Sequence, residues 1–279
     1  MRAKKRISSA VYHILMISFA LLMLYPLIWM IFSSFKPSAE ITRMTGSLIP
    51  KNPTLDNYIS GWKGFAGLSF AAFFKNSIFV ALVRVIGTVI SCSLIAFGFA
   101  RIPFKTRNVW FVIMILTMCL PAQILQIPQF LLFNHFGWVG TYLPLLVPSF
   151  FGGAYNVFLL MQFMRGIPVE LDESAKIDGC GWFRLFYSII LPLVKPAVAT
   201  VAVLTFMWSW DDFFSALLYL NKPTMYPVAY ALKLYSDEVT SNYGPMLAMS
   251  VLSIVPILIL FFVFQKSLVE GISTVGVKG

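Results

Sequence analysis

Six nearly unbroken runs of apolar residues divide this chain, at about 11–34, 76–100, 108–132, 142–164, 196–219 and 246–265. A bilayer core about 30 Å thick takes about 20 apolar residues per helix, so each run is long enough to span one. Backbone groups in lipid must be satisfied within the segment, and the two-residue alternation of a membrane barrel is absent. The pattern therefore predicts an all-α membrane protein of six transmembrane helices. The segments about 36–75, 134–141 and 220–245 fall on one side of the membrane. Pro37, Pro50, Pro53 and several glycines in the first of these predict loop with short helices. No low-complexity linker or fixed-period repeat appears. Residues 1–10 read as a short N-terminal segment on the cytoplasmic side, and residues 11–279 as a single membrane domain that includes an inter-span loop at 166–195 and a tail at 266–279.

Charge sets the orientation. Arg2, Lys4, Lys5, Arg6, Arg101, Lys105, Arg107, Arg165, Lys176, Arg184, Lys195, Lys266 and Lys278 fall on one side. Lys36, Arg43, Lys51, Lys63, Lys75, Lys222 and Lys233 fall on the other, and Arg84 lies within a span. The excess on the first side predicts that both termini are cytoplasmic. The basic N-terminus followed by an apolar run resembles a secretory signal, but the run continues to about Phe32 with no small-residue cleavage site, so it reads as an uncleaved first span.

Composition agrees: 59% of residues are apolar and 11% charged, where a soluble domain carries about a quarter charged. The net charge of +10 is accounted for by the flanks of the spans rather than by a nucleic-acid surface. Cys92, Cys119 and Cys180 have no metal-ligand spacing, and an odd count does not make a disulfide framework. His13 and His135 are isolated. No metal site is expected, and no cofactor bound by this chain.

The loop between the fourth and fifth runs has a different character. Pro168 suits the first helical position. Glu170, Asp172 and Glu173 occupy the first turn, where the helix dipole favours anions. Gly179 stands where a helix C-terminal cap belongs. A helix of about three turns is predicted, with Leu171, Ser174, Ala175 and Asp178 on one face. Trp182, Phe183, Leu185, Phe186, Ile189 and Ile190, interspersed with Arg184 and Ser188, predict a second, amphipathic helix at the membrane interface. Pro192 and Pro196 then break the chain before the fifth span.

Glu173-Ser174-Ala175, three residues, Gly179, nine residues, then Ile189-Ile190-Leu191-Pro192 resembles the EAA signature of binding-protein-dependent ABC importer permeases, with Ser174 in place of the middle alanine. The resemblance implies the type I importer permease fold, with a cytoplasmic coupling helix (Glu170, Asp172, Glu173, Ser174, Ala175, Asp178, Gly179) that docks on a separate ATPase subunit. Along nearly the whole chain the likeness is to the maltose-transporter type of carbohydrate permease. Trp208-Ser209-Trp210-Asp211-Asp212-Phe213 is similar to that family's aromatic-polar stretch, with Asp211 where asparagine is usual. The ending Phe264–Gly271 through Gly276–Gly279 resembles a subunit tail inserted between the ATPases, assigning Val277, Lys278 and Gly279 to that contact. The partners so implied are a second permease in a heterodimer, two cytoplasmic ATPase subunits, an external sugar-binding protein and a sugar. The chain would hydrolyse nothing itself, and Gly271–Lys278 departs from a P-loop in spacing and context.

Several polar groups fall inside the apolar runs. Arg84 is a functional candidate by default. Asp211 and Asp212, about 22 Å into the fifth span at the helical rise, are the available charge partners. Gln123, Gln126 and Gln129 recur near Pro121 and Pro128, where a kink is expected. Amides suit sugar hydroxyls and also suit bridging between helices. Asn156 and Tyr155 stand similarly, and Trp208 and Trp210 fit either sugar stacking or an interfacial belt. Two rival classes remain. An ion-coupled secondary transporter would rest on Arg84 with the two aspartates. A metal-dependent membrane enzyme would need Asp211 and Asp212 to converge, although neighbours on a helix point about 100° apart. Within the importer class, glycerol phosphate or another small solute is the alternative cargo to a neutral di- or oligosaccharide.

Overall fold

A computed structural model describes residues 2–43, 47–237 and 243–276. The helices are α1 (Arg2–Ser34), α2 (Ser38–Arg43), α3 (Asp56–Lys63), α4 (Phe70–Arg101), α5 (Arg107–Met118), α6 (Ala122–His135), α7 (Leu143–Leu146) and α8 (Ala154–Arg165). They continue as α9 (Glu170–Ile177), α10 (Trp182–Leu185), α11 (Leu191–Leu193), α12 (Lys195–Trp210), α13 (Phe213–Tyr219), α14 (Val228–Asp237) and α15 (Tyr243–Gly276). No strand occurs among the described residues. Four helical segments are long and apolar enough to cross a membrane: Val11–Ser34, Phe70–Arg101, Leu143–Arg165 and Tyr243–Lys266. The number rises to six if each of two bent helix pairs forms one span.

Those bent pairs correct the expected third and fifth spans. Instead of a kinked helix over 108–132, α5 and α6 meet at 103°. Pro121 cannot donate to the preceding turn, and it sits at the N-cap of α6 in an extended conformation, which ends one helix and starts another. Instead of one helix over 196–219, α12 stops at Trp210 and α13 begins after Asp212, whose Oδ1 accepts from the Ser215 amide at 3.0 Å. The residues from Trp182 to Leu193 form one helical run, with Phe186–Ile190 as a π-helical segment, and meet α12 at 78°. The chain therefore bends at Val194–Lys195, after Pro192. At the other end of the sequence, α15 continues to Gly276 through residues expected to form a tail, while Val277, Lys278 and Gly279 lie outside the described residues.

The chain divides into two compact units. The first comprises Met1–Phe70 and Leu232–Ile254. Within it Asn57 Nδ2 donates to the carbonyls of Ser34 and Lys36, at 2.8 and 2.7 Å, and so caps the orphan C-terminal end of α1. Tyr235 donates to the Gly61 carbonyl at 2.6 Å. From Val11 to Leu27 the α1 side chains are exposed and almost wholly apolar, a surface that demands lipid or another apolar partner.

The second unit comprises Ala71–Ala231 and Val255–Gly279. One apolar cluster joins α4, α8, α9, the 182–193 run and α12 through Cys92, Ala96, Leu160, Ala175, Ile190 and Val201, among others. Another joins α4, α7 and α13 through Val80, Leu145, Ala216, Tyr219 and Leu220. Val80, Arg84, Thr88, Cys92 and Ala96 recur every four residues and so share one face of α4. The apolar ends of that row belong to the two clusters, and the polar middle lies between them. Beside it the 147–153 segment approaches closely: a Cβ at Gly87 would stand 2.7 Å from Ser149 Oγ. The 3₁₀ turn Val147–Phe151 and the glycines after it are tied to α4, since Ser91 Oγ donates to the Ser149 carbonyl at 3.0 Å and the Gly153 amide donates to Cys92 Sγ at 3.3 Å. Irregular backbone persists in a bilayer only with such partners.

Candidate functional site

The polar middle of α4 opens on a cavity of about 390 Å³. Its walls come from α4, α6, the 147–153 segment, α8, α12 and α13. The break after Trp210 builds it, because ending α12 there frees Asp212 to cap α13 and turn its other oxygen toward α4. Arg84 Nη1 stands 2.7 Å from Asp212 Oδ2, with side-chain exposures of 25% and 19%. The cavity thus holds a cation and an anion that neutralise one another. An isolated ion in such surroundings would be strongly disfavoured, and Asp211, exposed at the break, does not take part in the pair.

Of the other residues expected in a path, Gln126, Gln129, Asn156 and Trp208 line the cavity. Gln123, Trp210 and Asp211 do not. Gln123 is exposed, about one turn before Gln126 on α6. Trp210 is buried and stacks on Phe206 at 5.5 Å. Trp208 remains half exposed and meets Tyr155 edge-on at 5.6 Å. Thr88, Ser149, Thr205 and Ser215 add small hydroxyls to the lining. They were not singled out in the sequence, because a small hydroxyl in an apolar run bonds its own helix and looks like packing. Ser149 does so, donating to the Leu146 carbonyl at 2.5 Å. Asn156 Oδ1 and Thr205 Oγ1 are buried with no hydrogen-bond partner. Buried polar atoms are rarely left so, and both residues belong to the cavity lining. No group of three or more His, Cys, Asp or Glu side chains converges on a metal-sized site among the described residues.

At the other end of the unit, α9 is closed as its sequence suggests. The Cys180 amide donates to the Ala175 carbonyl at 2.9 Å and the Gly179 amide to Lys176 at 3.0 Å. With Gly179 at φ +76°, this is a Schellman cap. Ser174 Oγ donates to the Glu170 carbonyl at 2.8 Å, so the hydroxyl that replaces a methyl there leaves no polar atom unpaired. The face shared by Leu171, Ser174, Ala175 and Asp178 is not buried as a unit. Asp172 and Ala175 are buried, whereas Leu171, Ser174 and Asp178 are exposed. An ion pair is the reason: Asp172 Oδ2 lies 3.4 Å from Arg101 Nη1 at the end of α4, and that attraction outranks the apolar side chain of Leu171. Glu170 and Glu173 are exposed, and Ile177 is 87% exposed. Leu185, Phe186 and Ile190 of the following run are buried in the cluster beneath, with Phe183 and Tyr187 exposed. This segment is therefore part of the core on one side and exposed on the other.

Helical segments long enough to cross a membrane, two of which wall a neutralised polar cavity, fit a membrane permease. The chain belongs to the family of binding-protein-dependent transport system inner membrane components, whose model matches residues 92–273. It is a transport component and not an enzyme. It is 34% identical over 99% of its length to the whole of the arabinooligosaccharides transport system permease protein AraQ of Halalkalibacterium halodurans. It is 31% identical over 100% of its length to 99% of the galactooligosaccharides transport system permease protein GanQ of Bacillus subtilis. Its fold matches a chain of a bacterial ABC transporter involved in the import of the acidic polysaccharide alginate, with a TM-score of 0.83, 25% identity, and coverage of 94% of this chain and 97% of that one. The fold is that of type I ABC importer permeases.

Proposed function

We propose that this chain is one of two permease subunits of an ATP-driven importer of neutral di- or oligosaccharides. The observation that carries the reading is the cavity: amides, hydroxyls and a half-exposed tryptophan surround an arginine already neutralised by Asp212. Amides and hydroxyls both donate and accept, as sugar hydroxyls require, and an aromatic face suits the apolar face of a sugar ring. A phosphate or uronate cargo calls for an uncompensated cation, which this cavity does not offer, so glycerol phosphate is the weaker reading. The names of the relatives support an oligosaccharide cargo. Gln126, Gln129, Asn156, Trp208, Arg84 and Asp212 form this subunit's share of the path.

In this proposal α9 is the coupling helix. Its exposed Glu170, Glu173 and Ile177 dock on a cytoplasmic ATPase subunit, and buried Ala175 permits close packing behind them. Both termini are cytoplasmic, Val277, Lys278 and Gly279 reach toward the ATPase pair, and a sugar-binding protein delivers cargo from outside. Differential docking of α9 in two states of the ATPase is what couples hydrolysis to transport. The test is site-directed crosslinking. A cysteine at Ile177, in a background lacking Cys180, is expected to crosslink to the ATPase subunit in inside-out vesicles and to be sealed from impermeant thiol reagents in intact cells. Labelling of that cysteine from outside the cell, or a crosslink to no ATPase subunit, would reject the docking.

A further inference from the structure

Arg101 entered the reading of the sequence only as a positive charge at the end of a span, yet it is almost fully buried and bonded to two other elements. Its Nη2 donates to the carbonyls of Met164 and Ile167, at 2.7 and 2.8 Å, where α8 ends. Met164 lies in the last turn of α8, at the negative end of the helix dipole, and Ile167 just beyond it, so a guanidinium is favourable there. Its Nη1 faces Asp172 Oδ2 at 3.4 Å, with side-chain exposures of 3% and 5%. Asp172 belongs to the first turn of α9, so one side chain gathers the ends of α4 and α8 and the start of α9. A second bridge runs parallel to it. Lys176 Nζ lies 4.5 Å from the centre of the Trp182 ring, and that ring meets Phe97 of α4 edge-on at 6.4 Å.

The same α4 carries Arg84 seventeen residues earlier, about 25 Å along the axis at the helical rise. One continuous helix therefore ends in an ion pair to α9 and bears, farther along, the ion pair of the cavity. Arg101 Nε and Asp172 Oδ1 are buried without partners, so the junction is held by charge and not saturated by hydrogen bonds. Removing either charge leaves the other buried and unpaired.

We propose that Arg101, through Asp172, is the positioning residue that makes α9, α8 and α4 move as one body, so that displacement of α9 reaches the Arg84–Asp212 pair. The proposal rests on the docking of α9 on an ATPase subunit. Its test uses the complete importer in proteoliposomes, measuring ATP hydrolysed per sugar imported for wild type, Asp172→Asn, Arg101→Gln and Asp172→Glu. In Asp172→Asn and Arg101→Gln, uptake is expected to fall about tenfold, within the ordinary range of coupling free energies, while hydrolysis stays near wild type. ATP used per sugar rises accordingly. Asp172→Glu keeps the charge and should restore most of the uptake. A merely structural role would lower uptake and hydrolysis together and leave the ratio unchanged, and that result overturns the proposal. If Arg101→Gln does not assemble, Asp172→Asn decides, since it changes almost no volume. The Ile177 crosslink is read in the same samples. A retained crosslink with an unchanged ratio rejects the Arg101 linkage alone. A crosslink missing in the otherwise wild-type importer rejects the docking and the linkage with it.

Discussion

Replacing Asp212 by alanine is expected to abolish uptake and reduce the amount of folded permease in the membrane. Two physical losses add. Arg84 loses the carboxylate 2.7 Å away, and removing one partner of a buried pair costs about 3–5 kcal/mol. Both side chains retain some exposure, so about 2 kcal/mol is the better figure once solvent screening is allowed for. The α13 cap to the Ser215 amide also disappears, which costs about 1 kcal/mol. The sum, about 3 kcal/mol, corresponds to over a hundredfold in the folded ratio. The pairing can be separated from the cap. Asp212→Asn keeps a good N-cap and removes only the charge. Arg84→Ala combined with Asp212→Ala removes the stranded cation, so the double variant should be closer to wild type in thermal unfolding than Asp212→Ala alone. Unfolding midpoints in detergent check this, and strict additivity of the two single variants would contradict the pair.

Replacing Gly179 by valine is expected to cut ATP-driven uptake about tenfold while leaving the cavity intact. Gly179 has φ +76°, a region that disfavours residues with a Cβ by about 1–2 kcal/mol, and a β-branched residue most of all. Nothing lies within 4 Å of a Cβ built there, so strain and not collision is the cause. The helix end that carries the amide-to-carbonyl bonds of Gly179 and Cys180 would unwind, and the exposed face of α9 proposed for docking with it. Asparagine tolerates the left-handed region, so Gly179→Asn should retain most uptake. Labelled-oligosaccharide uptake, with co-purification of the ATPase as a check on assembly, measures both variants. Equal loss in the valine and asparagine variants would mean that the glycine serves some other purpose.

These two sites differ in how far they could be read in advance. The α9 cap is local: acidic residues in the first turn and a glycine at the end act within one short segment, so spacing alone revealed it. The α12–α13 break is also local in part, since Asp212 followed by Ser215 is a cap signal. It was lost under a long apolar run that reads as one span by length. The 103° turn between α5 and α6 had a visible cause in Pro121 but not a visible size, because packing against other elements sets the angle. Arg101 was the least legible. On the sequence it is one more cation at a membrane boundary, and only the convergence of α4, α8 and α9 turns it into a buried clasp. The burial of Asp172 in α9 is illegible for the same reason, since it depends on a guanidinium distant in sequence.

Reconstituted transport tests the central claim most directly. The permease pair, the ATPase subunits and the sugar-binding protein are placed in proteoliposomes, and oligosaccharide uptake is followed with and without ATP and with and without an uncoupler. Uptake should require ATP and the binding protein, and should persist when the membrane potential and ion gradients are collapsed. Uptake that runs on an ion gradient without ATP would contradict the account.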